Sequence, residues 1–255
     1  IDLSVAGLIS LVAVVTVSLI DPIGQVNALL VGILLGAFPG FLNSMVLISC
    51  GALTQAEALF ITYGMSAVYS AIALIYTGGA TQHMTWLTTP QTVFTAIGSG
   101  TVGIFSVSFI IFLACLFLLW VFHNKTYSGR SISYTGGNKV AAELSGIPIK
   151  RSVILIYTIC GLMSAVGAVV LFSRITTAAP IIGKNYETNA ILSVVVGGTT
   201  LKGGKGSVLR TVLGVLLITL MSNCMNLLGV SAYLQVVLKG AILVLAIWLD
   251  NRKEQ

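Results

Sequence analysis

Residues 3–20 read LSVAGLISLVAVVTVSLI, and residues 26–48 read VNALLVGILLGAFPGFLNSMVLI. Neither stretch contains an Asp, Glu, Lys or Arg residue. An α-helix needs about 20 mostly apolar residues to cross the hydrocarbon core of a bilayer. The two stretches therefore predict two membrane-spanning helices at the start of the chain.

The composition of the whole chain points the same way. Of its 255 residues, 56% are hydrophobic and 8% are charged, whereas about 25% of the residues of a soluble domain are charged. A soluble domain of this length must cover its surface with polar side chains. A soluble fold is therefore excluded, and we interpret the net charge of +6 as a signal of membrane orientation rather than of nucleic-acid binding.

Similar apolar stretches recur along the rest of the chain. They bring the predicted membrane segments to seven, the others being 56–76, 101–123, 153–172, 208–228 and 231–249. An eighth stretch, 188–199, is apolar but short, as in a half-helix or a re-entrant segment. We predict an all-α fold, a polytopic transmembrane helical bundle of seven or eight segments in a single domain over 1–255. Because the chain begins inside an apolar run without Met, we expect it to be N-terminally incomplete.

Charged residues predict which connections face the cytoplasm, where Lys and Arg are enriched. The 123–152 loop holds five basic residues and one acidic residue, namely Lys125, Arg130, Lys139, Lys150, Arg151 and Glu143. The same side is predicted for the 200–210 connection and the tail, from Lys202, Lys205, Arg210, Arg252 and Lys253. The 77–100 connection has no Lys, Arg, Asp or Glu, and we place it outside.

The chain lacks the patterns that catalysis, metal binding or nucleotide binding would require. Its four cysteines lie in apolar stretches without metal-ligand spacing, so we interpret them as buried thiols. The run GGKGS at 203–207 lacks the Ser or Thr that follows the Lys of a phosphate-binding loop. The chain has two His residues and no embedded carboxylate pair, so we expect that it is not an enzyme. We expect no catalytic residue, no metal and no cofactor on this chain.

Small and amide side chains recur within the predicted helices. Gly32, Gly36 and Gly40 repeat at a spacing of four residues, which lets helix backbones approach closely in lipid. Asparagines within or beside the segments either hydrogen-bond between helices or line a polar path. The candidates for such a path are Asn43, Asn189, Asn223 and Asn226.

Three stretches resemble the permease subunits of ribose-type ABC importers, which depend on a binding protein. The 129–148 segment reads GRSISYTGGNKVAAELSGIP, and 174–207 reads RITTAAPIIGKNYETNAILSVVVGGTTLKGGKGS. The 226–240 segment reads NLLGVSAYLQVVLKG. The resemblance is strong from about Gly129 onward and patchy before it. The chain departs from the family pattern at Asn189, Ser193 and Arg210.

The resemblance implies a membrane-spanning permease that imports a monosaccharide or a similar small polyol across the bacterial inner membrane. It also implies a second copy or a related permease, a cytoplasmic tandem ATPase that binds ATP and Mg, and a periplasmic sugar-binding protein. Membrane lipid is a further partner. The 123–152 loop is then a cytoplasmic coupling loop, whose short helix near 138–144 sits in a cleft of the ATPase.

The residues that the resemblance assigns to ATPase coupling lie in the motif of this loop. They are Gly136, Gly137, Asn138, Ala141, Ala142, Ser145 and Gly146. Ala141 and Ala142 are small enough for close docking. Two other classes stay open: an ATP-independent secondary transporter or channel for a small polar solute, and a membrane scaffold that transports nothing.

Overall fold

A computed structural model describes residues 1–52, 54–201 and 203–252. Within these ranges the chain forms eleven α-helices and two small two-stranded sheets, so the predicted all-α fold is confirmed. Lys202 and Lys253, which contributed to the cytoplasmic assignment, lie outside the described residues. The assignment of sides stays a prediction.

Six of the described helices are long and apolar enough to cross a membrane. They are α1 (Val5–Ile23), α2 (Gln25–Ser49), α3 (Gln55–Thr77), α5 (Val107–Lys125), α8 (Ile149–Ile175) and α10 (Val208–Leu227). A further apolar helix, α11 (Ala232–Arg252), covers the predicted 231–249 segment. Each of the seven long predicted segments thus corresponds to a helix, and the chain is a multi-pass membrane protein.

Shorter elements connect these helices. The short helices are α4 (Thr92–Ser99), α6 (Tyr127–Gly137), α7 (Lys139–Leu144) and α9 (Tyr186–Val196), with a 3₁₀ helix at Met84–Trp86. The strands are β1 (Gln82–His83), β2 (Thr101–Val102), β3 (Phe105–Ser106) and β4 (Thr177–Ala178). Strand β1 pairs antiparallel with β4, and β2 pairs antiparallel with β3.

Two predicted segments differ from the observed helices. The 101–123 prediction begins too early, because residues 101–106 form the β2–β3 hairpin. Gly103 in the hairpin turn has a φ of +63°, which glycine adopts without steric cost. The 188–199 segment corresponds to α9, whose 11 residues rise about 16 Å. Since the hydrocarbon core is about 30 Å thick, α9 is a half-helix rather than a full span.

The chain divides into two compact units, the first made of Ile1–Leu118 and Lys150–Asn185 and the second of Leu119–Ile149 and Tyr186–Gln255. The expectation of a single domain stays a prediction. In the first unit α1 is largely buried and packs against α2 and α3. Phe94 of α4 and Phe172 of α8 join its core, with ring centroids 5.5 Å apart.

Glycines let α2 pack closely against its neighbours in the first unit. At Gly36 a Cβ atom would overlap Ala165 of α8, and at Gly40 it would overlap the backbone of Tyr157. At Gly32 it would overlap a side chain of α1. The predicted packing role of these three glycines is therefore confirmed.

A buried hydrogen-bond network joins α2, α3 and the residue before α1. Asn43 Nδ2 donates to Ser4 Oγ at 2.7 Å, and Tyr69 OH donates to Asn43 Oδ1 at 2.8 Å. All three side chains are buried. Both polar atoms of the Asn43 amide are therefore hydrogen-bonded. This is the first of the two roles that the sequence allowed for these asparagines, namely hydrogen bonding between helices.

Replacing Asn43 with Ala is expected to destabilise the first unit, because Ser4 and Tyr69 lose their common partner. Hydrogen bonds inside membrane bundles contribute about 0.6 kcal/mol each on average, so two of them correspond to about 1 kcal/mol of unfolding free energy. Thermal unfolding in detergent measures this loss. Asn27→Ala is the matched control, since Asn27 lies exposed on the same helix and its hydrogen bond, from Nδ2 to the oxygen of Ile23 at 2.9 Å, is a solvent-exposed local one. Equal melting temperatures for the two variants would contradict the stabilising role of the network.

In the second unit, α9 packs against α10 and α11. Glycines again set the close approach of two elements. A Cβ atom at Gly197, just after α9, would lie 2.6 Å from the backbone oxygen of Arg210, and one at Gly214 would overlap the backbone oxygen of Ser193. The backbones of the half-helix α9 and the long helix α10 are thus in direct contact at two points, one at Gly197 and one at Gly214.

Candidate functional site

The short helix α7 is delimited by its own sequence. Asn138 precedes it in an extended conformation, and its Oδ1 accepts a hydrogen bond from the backbone N–H of Ala141 at 3.0 Å. Asparagine is among the residues that best cap a helix N-terminus in this way. At the other end, Gly146 has a φ of +77°, and the Ile147 N–H donates to the Ala142 oxygen at 3.0 Å. A left-handed glycine of this kind commonly ends a helix.

The two faces of α7 are different. Ala142 is only 4% exposed. Val140 and Leu144 are 67% and 86% exposed, although both are apolar. Ala141 is exposed, whereas Ala142 is buried. The docking role of the two alanines stays a prediction.

Sequence reasoning did not single out Val140 and Leu144, whose side chains the structure leaves exposed. The available signal was their spacing of four residues in an otherwise polar loop, since residues at i and i+4 lie on one face of a helix. An exposed apolar pair on a short, well-capped helix is suited to insertion into a partner's cleft. It is the clearest outward-facing feature of the predicted coupling motif.

A cleft of about 690 Å³ lies beside α6 and α7. Five of the seven predicted coupling residues line it, namely Gly137, Asn138, Ala141, Ala142 and Ser145. Other lining residues are Tyr127, Arg130, Ser131, Ser133, Tyr134, Ile147 and Gly204. The structure thus brings most of the predicted coupling residues to one concave surface, with Gly136 and Gly146 adjacent in sequence.

In the 123–152 loop, basic side chains outnumber the single carboxylate, that of the exposed Glu143 on α7. The side chains of Lys125, Arg130 and Lys139 are exposed in the second unit. Lys125 Nζ lies 5.9 Å from the ring centroid of Trp120, at the end of α5. Exposed basic groups beside an apolar pair favour association with a protein surface that carries acidic residues.

The described residues show no group of three or more His, Cys, Asp or Glu side chains that could hold a metal ion. The cleft lining contains hydroxyl and amide groups but no carboxylate, thiol or imidazole. Its chemistry is suited to protein contact and hydrogen bonding. The expectation that this chain itself binds no cofactor stays a prediction.

The four candidate path residues are not all in one unit. Asn43 belongs to the first unit and is held by Ser4 and Tyr69. The second unit contains the half-buried Asn189 and the exposed Asn223 and Asn226. Asn226 Oδ1 accepts a hydrogen bond from Gln235 Nε2 at 2.8 Å. A role of these four residues in solute passage stays a prediction.

Comparisons with known proteins place the chain among transport permeases. The family model described as the permease component of branched-chain amino acid transport systems matches residues 1–247. The chain is 34% identical to the ribose import permease of Escherichia coli, an alignment that covers 100% of this chain and 78% of that protein. It is 38% identical to the ribose import permease of Bacillus subtilis, over 99% of this chain and 77% of that protein.

A third relative is the galactose/methyl galactoside import permease of Haemophilus influenzae. It is 30% identical to the chain, over 99% of this chain and 78% of that protein. No solved structure matches the chain. The family description names amino acids whereas these relatives are named for sugars, and both descriptions denote transport permeases. The chain therefore belongs to this family of membrane transport permeases, and the resemblance to ribose-type ABC importer permeases is confirmed.

Proposed function

We propose that this chain is the membrane-spanning subunit of an ATP-driven importer that moves a monosaccharide or a similar small polyol from the periplasm to the cytoplasm. The observation that carries the proposal is the outward apolar pair of α7, Val140 and Leu144. Exposed apolar side chains that are rimmed by polar residues are a feature of protein–protein contact sites. The sugar-import names of the relatives support the substrate class.

In this proposal a cytoplasmic tandem ATPase binds the permease at α7. The six residues of α7 form a helix about 9 Å long, which is short enough to insert into a cleft of the ATPase. The ATPase, rather than this chain, binds ATP and Mg and hydrolyses ATP. ATP binding and hydrolysis then shift the permease between outward-facing and inward-facing populations, with no chemistry on the solute.

The solute path is proposed to use amide groups that can bond to sugar hydroxyls. Asn223 and Asn226 lie on an apolar spanning helix and are exposed. Asn223 is available to a solute or to a second permease copy, whereas Asn226 Oδ1 is already bonded to Gln235. Asn189 lies on the half-helix α9. Asn43 is available only in a state in which it leaves Ser4 and Tyr69.

A periplasmic sugar-binding protein is proposed to dock on the 77–100 connection, which the charge pattern predicts to lie outside. The 77–100 connection carries no Lys, Arg, Asp or Glu, and Trp86 within it is 75% exposed. An exposed Trp is typical of a binding anchor. A second copy of the chain or a related permease completes the complex in the bacterial inner membrane.

Purification of the full-length protein from its own cells in mild detergent tests the proposed assembly. Mass spectrometry of the eluate should identify an ATPase with two nucleotide-binding halves and a periplasmic binding protein. The ligand of that binding protein then identifies the solute. A chain that elutes alone under every salt and detergent condition would instead favour an ATP-independent transporter.

A further inference from the structure

The turn between α9 and α10 is closed by its own hydrogen bonds. The N–H of Thr200 donates to the oxygen of Lys205 at 3.0 Å, and the N–H of Gly203 donates to the oxygen of Thr200 at 3.1 Å. Thr200 Oγ1 also donates to the oxygen of Gly203 at 2.9 Å. These bonds hold the described part of the turn in one shape.

This turn lies directly against the end of α6. A Cβ atom at Gly204 would lie 2.6 Å from the Cα of Gly137, and one at Gly203 would lie 2.7 Å from the oxygen of Gly136. From the other side, a Cβ atom at Gly136 would lie 3.0 Å from the nitrogen of Gly204. The two backbones therefore touch without intervening side chains. We name this contact of Gly136 and Gly137 with Gly203 and Gly204 the glycine clasp.

Each side of the glycine clasp is fixed to a different part of the second unit. Gly137 is followed by Asn138, the cap of α7, so the clasp lies one residue from the short helix. Gly203 and Gly204 belong to the turn that joins α9 to α10, two helices held in backbone contact at Gly197 and Gly214. The clasp thus links α7 to the α9–α10 pair.

We propose that the glycine clasp is the positioning element that passes movement of α7 to α9 and α10. This inference rests on the proposed coupling of α7 to an ATPase. Contacts through long side chains can absorb a displacement by changing rotamer, whereas a backbone-to-backbone contact has no such freedom. The clasp glycines touch neither the solute nor ATP; they act through the helices that they join.

Gly204→Ala tests this role, with Gly198→Ala as the matched control. Both glycines lie in the same connection with similar backbone conformations, at φ of +77° and +82°. Alanine is therefore strained similarly at both positions. Only the Cβ atom at position 204 would enter the clasp, since position 198 has no heavy atom within 4 Å. The difference between the two variants reports the clasp rather than backbone strain.

The readout is the number of solute molecules imported per ATP hydrolysed, in proteoliposomes that contain the co-purified complex. Gly204→Ala is expected to reduce this ratio about tenfold, within the usual range of coupling between two sites, while the ATPase still co-purifies. Gly198→Ala should keep the wild-type ratio. If Gly204→Ala does not accumulate, Gly136→Ala is the second variant. Gly136 lies within the helix α6, where alanine is not strained, and its Cβ atom would push against Gly204. This variant should also lower the number of solute molecules imported per ATP.

The outcomes separate this inference from the proposed function. A wild-type complex that shows no ATP-driven uptake would contradict the proposed function itself. A working wild-type complex, together with clasp variants that import as much solute per ATP as Gly198→Ala, would overturn the role of the clasp alone. A loss of ATPase binding in Gly204→Ala would also overturn it, because the glycines would then belong to the docking surface.

Discussion

Gly161→Leu is expected to prevent accumulation of folded permease. A Cβ atom at Gly161 of α8 would overlap the backbone oxygen of Gly36 and lie 3.0 Å from the Cα of Gly40. A leucine side chain has no space between these backbones, so α2 and α8 would have to separate. Overpacking of this kind costs about 3 kcal/mol, a large part of the stability of a typical domain.

The matched control for this change lies on the same helix. Gly167 is exposed, and a Cβ atom there would meet no heavy atom within 4 Å. Gly167→Leu should therefore accumulate normally and elute as a single species in size-exclusion chromatography. Gly161→Leu should be lost or aggregated in the same assay. Indistinguishable elution profiles and melting temperatures for the two variants would contradict the close α2–α8 packing.

Leu144→Glu is expected to abolish ATP-driven uptake while leaving the permease folded. The side chain is 86% exposed, so a carboxylate there remains in water in the isolated chain. In the proposed complex that carboxylate would be buried in the ATPase cleft. An uncompensated buried charge costs about 3 kcal/mol, which weakens binding about 100-fold.

Co-purification of the ATPase and uptake by proteoliposomes measure this effect. Leu144→Met is the control, because methionine keeps the apolar character and nearly the same volume. It should retain the ATPase and most of the uptake. Full ATPase binding and uptake by Leu144→Glu would contradict the docking role of α7.

Hydropathy predicted where the spanning helices lie but not how deeply each is buried. Helices α1 and α5 are both strongly apolar, yet most of α1 is buried and none of α5 is. Their side-chain sizes differ: α1 contains Gly7, Ser10 and Ala13, whereas α5 contains Phe109, Phe112 and Phe117. Small residues favour close helix packing in membranes, so side-chain size carries part of the information that hydropathy lacks.

The structure of the coupling loop was also predicted only in part from the sequence. Its motif predicted a short helix near 138–144, and α7 begins and ends within one residue of that range. The motif did not reveal that Ala142 faces inward while Leu144 faces outward. That distinction depends on what packs against α7 in the fold. The glycine clasp also could not be predicted from local sequence, because its two halves are more than 60 residues apart.

The most direct test of the proposed importer is solute uptake by proteoliposomes. They would contain the co-purified permease and ATPase, with ATP and Mg inside and the binding protein with radiolabelled solute outside. Accumulation should require hydrolysable ATP and the binding protein together, and a non-hydrolysable ATP analogue should stop it. Equal uptake without ATP would contradict the proposal that this permease is driven by a partner ATPase.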